Sequence, residues 1–524
     1  MHYYDDLSKT YPRTAMALTF VAVTGLAAAA AAAAAAVGAG TVADPNDTCE
    51  LMAVQTAIEI LSPLTIEYNT EQTEYWSTAC GAMKPSCILA PSTTDEVAAI
   101  MAALRDTNET FAVKSGGHNP NNGWASVDGG PLISTKNLDE VIFDPDTETV
   151  RVGPGNRWDE VAEALDGTGY CAVGGRIGNV GVGGYLLGGG LSFQSLNYGW
   201  AANSVLEFTL VLPNASVVAV REDNHPDLFL SLKGGGNNYG IVTSFLLQAY
   251  PQGDVWGGNL WFDETDKTTP KVLQAVRDFT EYNTDPKAGI IVTSERTLAT
   301  LVQLWIVFLF YDGPEPPEGV FKNFTDIGPF INTAKTQTMS ELVSGNNWAV
   351  LKGSVYQIGT ETVPLPSEAD APEVLGALFD TWVNASDGAA LVPGTIASIA
   401  FQPMPKAIPR IARSKNGGDL IDLDDDIDRI IIELNYSFTF NASYEKVDTV
   451  MRDTYTGVAG VVQNYTEAGV LPADAYLPLF ANDAFYSQDY FGRLRPEKAE
   501  LARRVQREVD PEGVFKSRTG GWKP

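Results

Sequence analysis

Three histidines occur in the chain, His2, His118 and His225, and only His118 stands beside a turn built to approach an anion. It closes the stretch Ala112-Val113-Lys114-Ser115-Gly116-Gly117-His118-Asn119. An apolar pair runs into two adjacent glycines, which let backbone N–H groups come close to a charged group because no Cβ intervenes. Lys114 adds positive charge nearby. His2 precedes an apolar leader, and His225 sits in a polar Asn-His-Pro-Asp turn. His118 is therefore the candidate for chemistry, and the glycines before it are the candidate phosphate cradle.

Two further glycine segments follow. Gly174 to Gly190 holds nine glycines in seventeen residues, interleaved with valine, leucine and tyrosine and free of serine. That composition excludes a flexible linker and argues against a helix or an ordinary strand. It predicts backbone lying close against something flat or charged. Lys233-Gly234-Gly235-Gly236-Asn237-Asn238-Tyr239-Gly240 then leads into an apolar strand from Ile241 to Phe245. None of the three forms strand, G-x-G-x-x-G and helix with an acid about twenty residues on, so nicotinamide binding of that type is disfavoured.

Metal chemistry finds little support, and no metal site is expected. The four cysteines, Cys49, Cys80, Cys87 and Cys171, form no C-x-x-C, and histidine is scarce. They allow up to two disulfides. Cys49 with Cys87 would staple the N-terminal region to the first strand, although connectivity is not readable from sequence. The acidic run Asp422 to Asp428 lacks the glycine and final glutamate of an EF-hand and reads as a solvated loop.

The elements that must position these loops alternate in type from residue 50 to about 255. Cys87–Ala90 is a strand, and Thr93 and Glu96 have capping-box spacing. Val97, Ile100, Met101 and Leu104 make one helical face. Phe111–Val113 is the next strand, so the Gly-Gly-His loop ends a β-α-β unit. Strands at 131–134 and 149–152, a helix over 159–165 and a hairpin of 205–212 with 216–220 follow. From about Trp256 the texture changes. Strand-like runs over 301–311, 395–401 and 429–440, with helices over 271–282 and 445–454, predict a second domain: an antiparallel sheet covered by helices. The tail, with Leu479 to Ala484 and a helix over 496–509, returns to the style of the first domain. The expected organisation is a signal peptide over 1–43, a first domain over 44–255, a second over 256–470 and a returning segment over 471–524. The fold class is α+β.

Composition bounds the partners. The 524 residues are 44% hydrophobic and 19% charged, enough to bury a large core and too apolar for a disordered chain. A net charge of −30 opposes binding to nucleic acid or an anionic membrane surface. An apolar run from Met16 to about Gly38, with ten alanines at 27–36 and Thr41-Val42-Ala43 behind it, has the form of a secretory signal. Eight N-x-S/T sequons, at Asn46, Asn108, Asn214, Asn323, Asn384, Asn435, Asn441 and Asn464, agree with secretion and N-glycans. No membrane association is expected once the signal is cleaved.

Taken in order, S-G-G-H, then G-R-x-x-x-V-G-V-G-G-Y-L-L-G-G-G, then K-G-G-G-N-N-Y-G-I-V-T-S-F, then N-D-A and D-P-E-G-V-F, the chain resembles the FAD-linked oxidases of the vanillyl-alcohol-oxidase and berberine-bridge-enzyme-like group, most of all secreted fungal members. The likeness runs over roughly residues 50–524. It implies a two-part, PCMH-type FAD-binding domain and a separate substrate domain. It also implies roles. Ser115, Gly116, Gly117 and Asn119 would bind the FAD pyrophosphate, with Lys114 adjacent, and His118 would carry an 8α bond to the flavin. Val180, Gly181, Gly183 and Gly184 would line the isoalloxazine. Gly240, Ile241 and Val242 would receive the adenine side, and Asn482 would approach the pyrimidine edge.

Three departures from the group's pattern matter. Ile177 stands where some relatives carry a second flavin-bonding cysteine, and Cys171 lies six residues upstream, so one covalent bond is expected. Asn203-Ser204-Val205 replaces Asp-Asn-Val; Val205 is kept as a cofactor-side residue. Phe480 replaces a tyrosine of the tail motif. Tyr436 and Gln402, on expected strands of the second domain, are candidates for catalysis by position only, alongside Asn482.

The function implied is a secreted, mono-covalent flavoprotein oxidase acting on a small alcohol, amine, sugar or secondary metabolite, with dioxygen as the electron acceptor. A dehydrogenase using another acceptor is the alternative. A catalytically silent flavin- or glycan-binding protein is a third reading, which the intact Gly-Gly-His loop opposes. The resemblance makes Val180 the position where a small β-branched residue leaves room for oxygen.

Overall fold

Thr93 caps the helix Thr94–Thr107 as the spacing requires, its hydroxyl accepting from the Glu96 N–H at 3.2 Å. Glu96 reaches back one residue further than a capping box does, and its carboxylate accepts from both the N–H and the hydroxyl of Ser92. Val97, Ile100, Met101 and Leu104 are fully buried on one face of the helix. In the computed structural model, which describes residues 47–297 and 302–524, that helix connects strand Ile88–Ala90 to strand Ala112–Lys114. Leu132–Ser134 lies between these two strands and is parallel to both, and Glu59–Leu61 adds an antiparallel edge. The Gly-Gly-His loop leaves the C-terminal end of this small sheet. The expected leader and the sequon at Asn46 lie outside the described residues.

A second sheet is wholly antiparallel, in the order Val141–Asp144, Thr149–Val152, Ile241–Gln248, Val205–Val211, Val217–Val220. The region before residue 255 thus holds two main sheets of different kind, with a short pairing of Tyr170–Cys171 and Tyr250–Pro251 beside them, not one alternating α/β unit. The long-range pairing of Thr149–Val152 with Ile241–Gln248 has no local sequence signal.

The third sheet carries eight antiparallel strands. It includes Leu301–Tyr311 as strand Val302–Tyr311, and the expected strands near 395 and 429 as Ile396–Met404 and Arg429–Phe438. Strands Val255–Asp263, Ala288–Thr297 and Val355–Pro364 were not legible beforehand. Helices Thr269–Tyr282, Ala371–Ser386 and Tyr444–Glu467 cover one face, where Trp305, Trp382, Phe401, Ile432 and Phe438 form the largest core. The other face turns toward the glycine loops. The architecture is α+β, as expected.

The tail packs on the first two sheets. Val505 packs in the core of the antiparallel five-stranded sheet and Phe515 against the first helix–sheet unit. Asp510 accepts from the N–H groups of Val514 and Phe515 and so caps the start of the last helix, Val514–Arg518. The acidic run is not a solvated loop: Asp424 pairs with Arg429 at 2.6 Å and Arg495 at 2.8 Å, and Asp425 with Arg410 at 2.9 Å. Among the described residues no helix is long and apolar enough to cross a membrane.

Cys49 is bonded to Cys87, closing a separation of 38 residues between the first helix and the first parallel strand. Cys80 and Cys171 are free and buried. A loop of that size restricts the unfolded chain enough to stabilise the fold by about 4 kcal/mol in the chain-entropy model. Replacing both bonded cysteines with serine is expected to lower denaturant-measured stability on that scale. An unchanged unfolding midpoint would show that the bridge does not restrain the unfolded chain.

Candidate active site

The first and second glycine segments meet backbone to backbone. A Cβ on Gly116 would lie 2.5 Å from the Gly181 Cα, and one on Gly181 would lie 2.3 Å from the Gly116 N. Only glycine fits at either position. Ser115 ties the two loops together: its hydroxyl donates to the Pro154 carbonyl at 2.5 Å and accepts from the Gly183 N–H at 3.2 Å. The N–H groups of Gly116, Gly117 and His118 have no acceptor among the described residues. Contrary to the sequence reading, the second segment does contain a helix, Val182–Leu187. It survives its glycines because Val182 and Leu186 bury one face completely, which offsets the entropic cost.

A long cleft opens between these loops and the uncovered face of the large sheet. Ser115 to Asn119, Val180, Gly181, Gly183, Gly184, Gly240, Ile241, Val242 and Asn482 all line it, as do Gly234 to Asn238 of the third segment. Its empty space, open mouth included, is about 1910 Å³. The His118 ring stacks on Trp76 at 4.5 Å between centroids, and its Nε2 is buried with no hydrogen-bond partner. Burial, reinforced by the positive charges of Arg157 and Lys352, holds the imidazole pKa down at about 3. The ring is therefore neutral at any ordinary pH.

Two of the expected cofactor residues are elsewhere. Lys114 faces away from the cleft, and its ammonium pairs with Glu71 at 2.7 Å in a buried ion pair. Strand alternation decides this, since its neighbour Val113 takes the cleft face. Val205 is fully buried in the hydrophobic core of the five-stranded sheet.

The same alternation sorts the catalytic candidates. On strand Arg429–Phe438, Ile430, Ile432, Leu434, Tyr436 and Phe438 point into the helix-covered core. Tyr436 is there, bonded to Ser386 at 2.9 Å and Thr454 at 2.8 Å, and does not reach the cleft. Glu433, three residues earlier, is of opposite parity and lies on the cleft wall. It was not found from sequence, because a glutamate in an apolar strand carries no motif.

Gln402 is fully buried behind the wall and is not itself a wall residue. Its amide nitrogen donates to Asp483 at 2.9 Å, and its amide oxygen accepts from Arg176. Arg176 and Asp483 line the cleft with Glu433. Burial and then the charge of Asp483 raise the Glu433 carboxyl well above the usual carboxylate range, while Arg176 pulls it back. Burial likewise raises Asp483, against its bond from Gln402 and the charge of Arg176. Asn482 accepts from the Gly190 N–H and donates to the Tyr185 carbonyl, both at 3.1 Å, so the tail pins the far end of the second glycine segment.

The fold and cleft have counterparts. Residues 85–221 match the FAD binding domain model. An uncharacterized FAD-linked oxidoreductase of Arthroderma benhamiae is 40% identical over 476 residues, 90% of this chain and 94% of that protein. This chain belongs to the FAD-linked oxidoreductases. FAD-dependent monooxygenase drtC of Aspergillus calidoustus is 28% identical over 87% of this chain and 86% of its own length. Among solved structures, 6-hydroxy-D-nicotine oxidase from Arthrobacter nicotinovorans superposes with a TM-score of 0.71 at 20% identity, covering 89% of this chain and 98% of that one. Glucooligosaccharide oxidase from Acremonium strictum gives 0.70 at 18%, with 89% and 98% covered. The fold is that of the vanillyl-alcohol-oxidase and berberine-bridge-enzyme-like oxidases.

The oxidoreductase's cleft suits FAD on its own chemistry. Four buried polar atoms of its wall residues, Trp76 Nε1, His118 Nε2, Asn238 Oδ1 and Trp522 Nε1, lack partners among the described residues. A Cβ at Gly184 or Gly236 would meet no protein atom within 4 Å. Both are wall residues, so such a side chain would occupy the cleft itself. Gly184→Val is thus expected to fold with an unchanged melting temperature in the flavin-free state and to purify without flavin absorbance. Normal flavin content in that variant would show that this stretch is not a flavin wall.

Proposed function

We propose that this FAD-linked oxidoreductase is a secreted oxidase that takes a hydride from a small organic alcohol, amine, sugar or secondary metabolite. Its FAD is held by one covalent bond through His118 and is returned to the oxidised state by dioxygen, which becomes hydrogen peroxide. The observation that carries the reading is the enclosed Glu433 carboxyl on the same cleft as the glycine loops and the neutral His118 ring.

Bound FAD supplies a two-electron acceptor for a hydride. The chain's own residues do the rest. The N–H groups of Gly116, Gly117 and His118 bind the pyrophosphate at the end of the parallel sheet. Gly181, Gly183 and Gly184 give a flat wall. Glu433 accepts the proton of the substrate hydroxyl or amine, for which an enclosed carboxylate with a raised pKa is well matched near neutral pH. The charges of Asp483 and Arg176 set its ionisation, and Gln402 joins those two residues. Ile291, Val350, Ile358 and Phe480 exclude water from the same space.

One covalent bond agrees with the residues present. The glucooligosaccharide oxidase carries a 6-S-cysteinyl, 8α-N1-histidyl FAD. Here Ile177 stands on the cleft wall at the expected cysteine position, and Cys171 does not line that cleft. Burial pushes the Cys171 thiol up to about 12, which removes its nucleophilic form at neutral pH. Secretion is supported by the Cys49–Cys87 bridge and by the exposed positions of Asn108, Asn214, Asn323, Asn384, Asn441 and Asn464. Asn435 is half-buried in the large sheet.

Val180, on the wall beside Gly181, provides the test of oxidase behaviour. Val180→Ile adds one methylene where oxygen would enter. It is expected to slow reoxidation of pre-reduced protein by roughly tenfold, the scale of an overpacking cost of about 1–3 kcal/mol, while anaerobic reduction by substrate changes little. Stopped-flow mixing with oxygenated buffer separates the two. If the unaltered protein reoxidises no faster than free reduced flavin, the oxidase reading gives way to a dehydrogenase with another acceptor.

A further inference from the structure

His118 is the outer member of a stack of three rings. Trp76 lies against it at 4.5 Å and 16° between planes, and Tyr356 lies against the other face of Trp76 at 4.2 Å and 24°. Trp76 and Tyr356 are buried, at 3% and 8% exposure, in a small apolar cluster with Val350 and Ile177. The stack is anchored from both ends. The Trp76 N–H donates to the Gly117 carbonyl at 3.0 Å, tying it to the loop that carries the histidine. A Cβ on Gly117 would lie 2.8 Å from the Glu74 carbonyl, so this segment presses directly on the loop. At the other end the Tyr356 N–H donates to the Ser77 hydroxyl at 3.1 Å, the Thr78 N–H donates to the Ser354 carbonyl at 2.9 Å, and the Tyr356 hydroxyl donates to the Leu351 carbonyl. Tyr356 belongs to the large sheet, in strand Val355–Pro364. The histidine's orientation is thus set by a segment before the first glycine loop and by the second domain, and not by its own loop alone.

We infer that Trp76, backed by Tyr356, is a positioning residue for flavin attachment: the stack holds the His118 imidazole in the plane and direction from which its nitrogen bonds the cofactor. The inference rests on the covalent reading above. In the attachment one C–N bond forms between the imidazole and the flavin 8α carbon, while one N–H and one C–H bond break. The two protons and two electrons released pass to dioxygen, giving one hydrogen peroxide per bond made. A ring freed from the stack can rotate away from the reacting carbon, and loss of orientation of that kind costs about a hundredfold in rate.

The test compares the full-length unaltered protein with Trp76→Ala, Trp76→Phe and Tyr356→Leu. Total flavin is read from visible absorbance of the native protein, and attached flavin from fluorescence of the acid-denatured chain on a gel. Trp76→Ala is expected to hold its flavin but to attach it about tenfold or more slowly, read as the attached fraction at successive times after addition of excess FAD. Trp76→Phe, which restores a ring face, is expected to recover most of the attachment. Tyr356→Leu is expected to fall between them and provides the test if Trp76→Ala does not fold. Attachment in Trp76→Ala or, failing that, in Tyr356→Leu at the unaltered rate overturns the inference alone. Release of all flavin from the unaltered chain overturns the covalent reading, and the inference with it.

Discussion

Glu433→Gln is expected to lower the rate of anaerobic flavin reduction by substrate by about 10²–10⁴-fold, the usual contribution of a positioned general base. The variant keeps size and shape on the strand, so the flavin should stay bound and its absorbance should be close to that of the parent. A pH profile distinguishes a base from a packing residue. The base form is the carboxylate, so activity should fail as pH drops through the Glu433 pKa. Burial and the charge of Asp483 raise that pKa, so the acid limb should lie above the ordinary carboxylate range. Asp483→Asn removes a like charge while keeping an oxygen for the bond from Gln402. The limb should then move to lower pH. A limb that moves up, or an unchanged rate in Glu433→Gln, would rule out this glutamate as the base.

His118→Ala is expected to convert the flavin from covalently attached to freely extractable. After denaturation in acid, yellow fluorescence should travel with the unaltered chain and be absent from the variant's band. Among the described residues no other histidine is placed to substitute. His225 is the N-cap of a helix at the surface, Pro226–Leu232, and His2 lies outside the described residues. The neutral state imposed on His118 by its surroundings matters here, because a protonated imidazole has no lone pair to form the bond. Attachment should therefore be insensitive to pH through the range in which a free histidine titrates. Flavin retained by the His118→Ala chain would place the bond elsewhere.

The glycine half of the candidate site was legible because it is built from backbone. Gly116 and Gly181 touch each other, and Gly184 opens onto the cleft, so a side chain at any of them would obstruct something essential. A requirement of that kind appears directly as residue type and order. The Thr93 cap, the helical face of Val97 to Leu104 and the tail helix Pro496–Val509 were readable for a related reason, since each depends on neighbours within a turn or two. The disulfide was readable only as one of several pairings.

The substrate half was decided by tertiary structure. Tyr436, Gln402 and Glu433 sit on two adjacent strands, and which of them meets the cleft depends on parity and register within an eight-stranded sheet. A shift of one residue exchanges the two faces of a strand, and nothing local in the sequence states which face the helices will cover. Lys114 was misplaced by the same uncertainty, being one residue out of phase with Val113. The Arg176–Gln402–Asp483 chain joins positions 226 residues apart on its first link and 81 on its second. The sequence alone therefore determined which backbone could meet at one cleft wall, through residues that have no side chain. Only the packing of the large sheet against the glycine loops decided which carboxylate lines their cleft, because that choice is made by strand pairing across the whole chain.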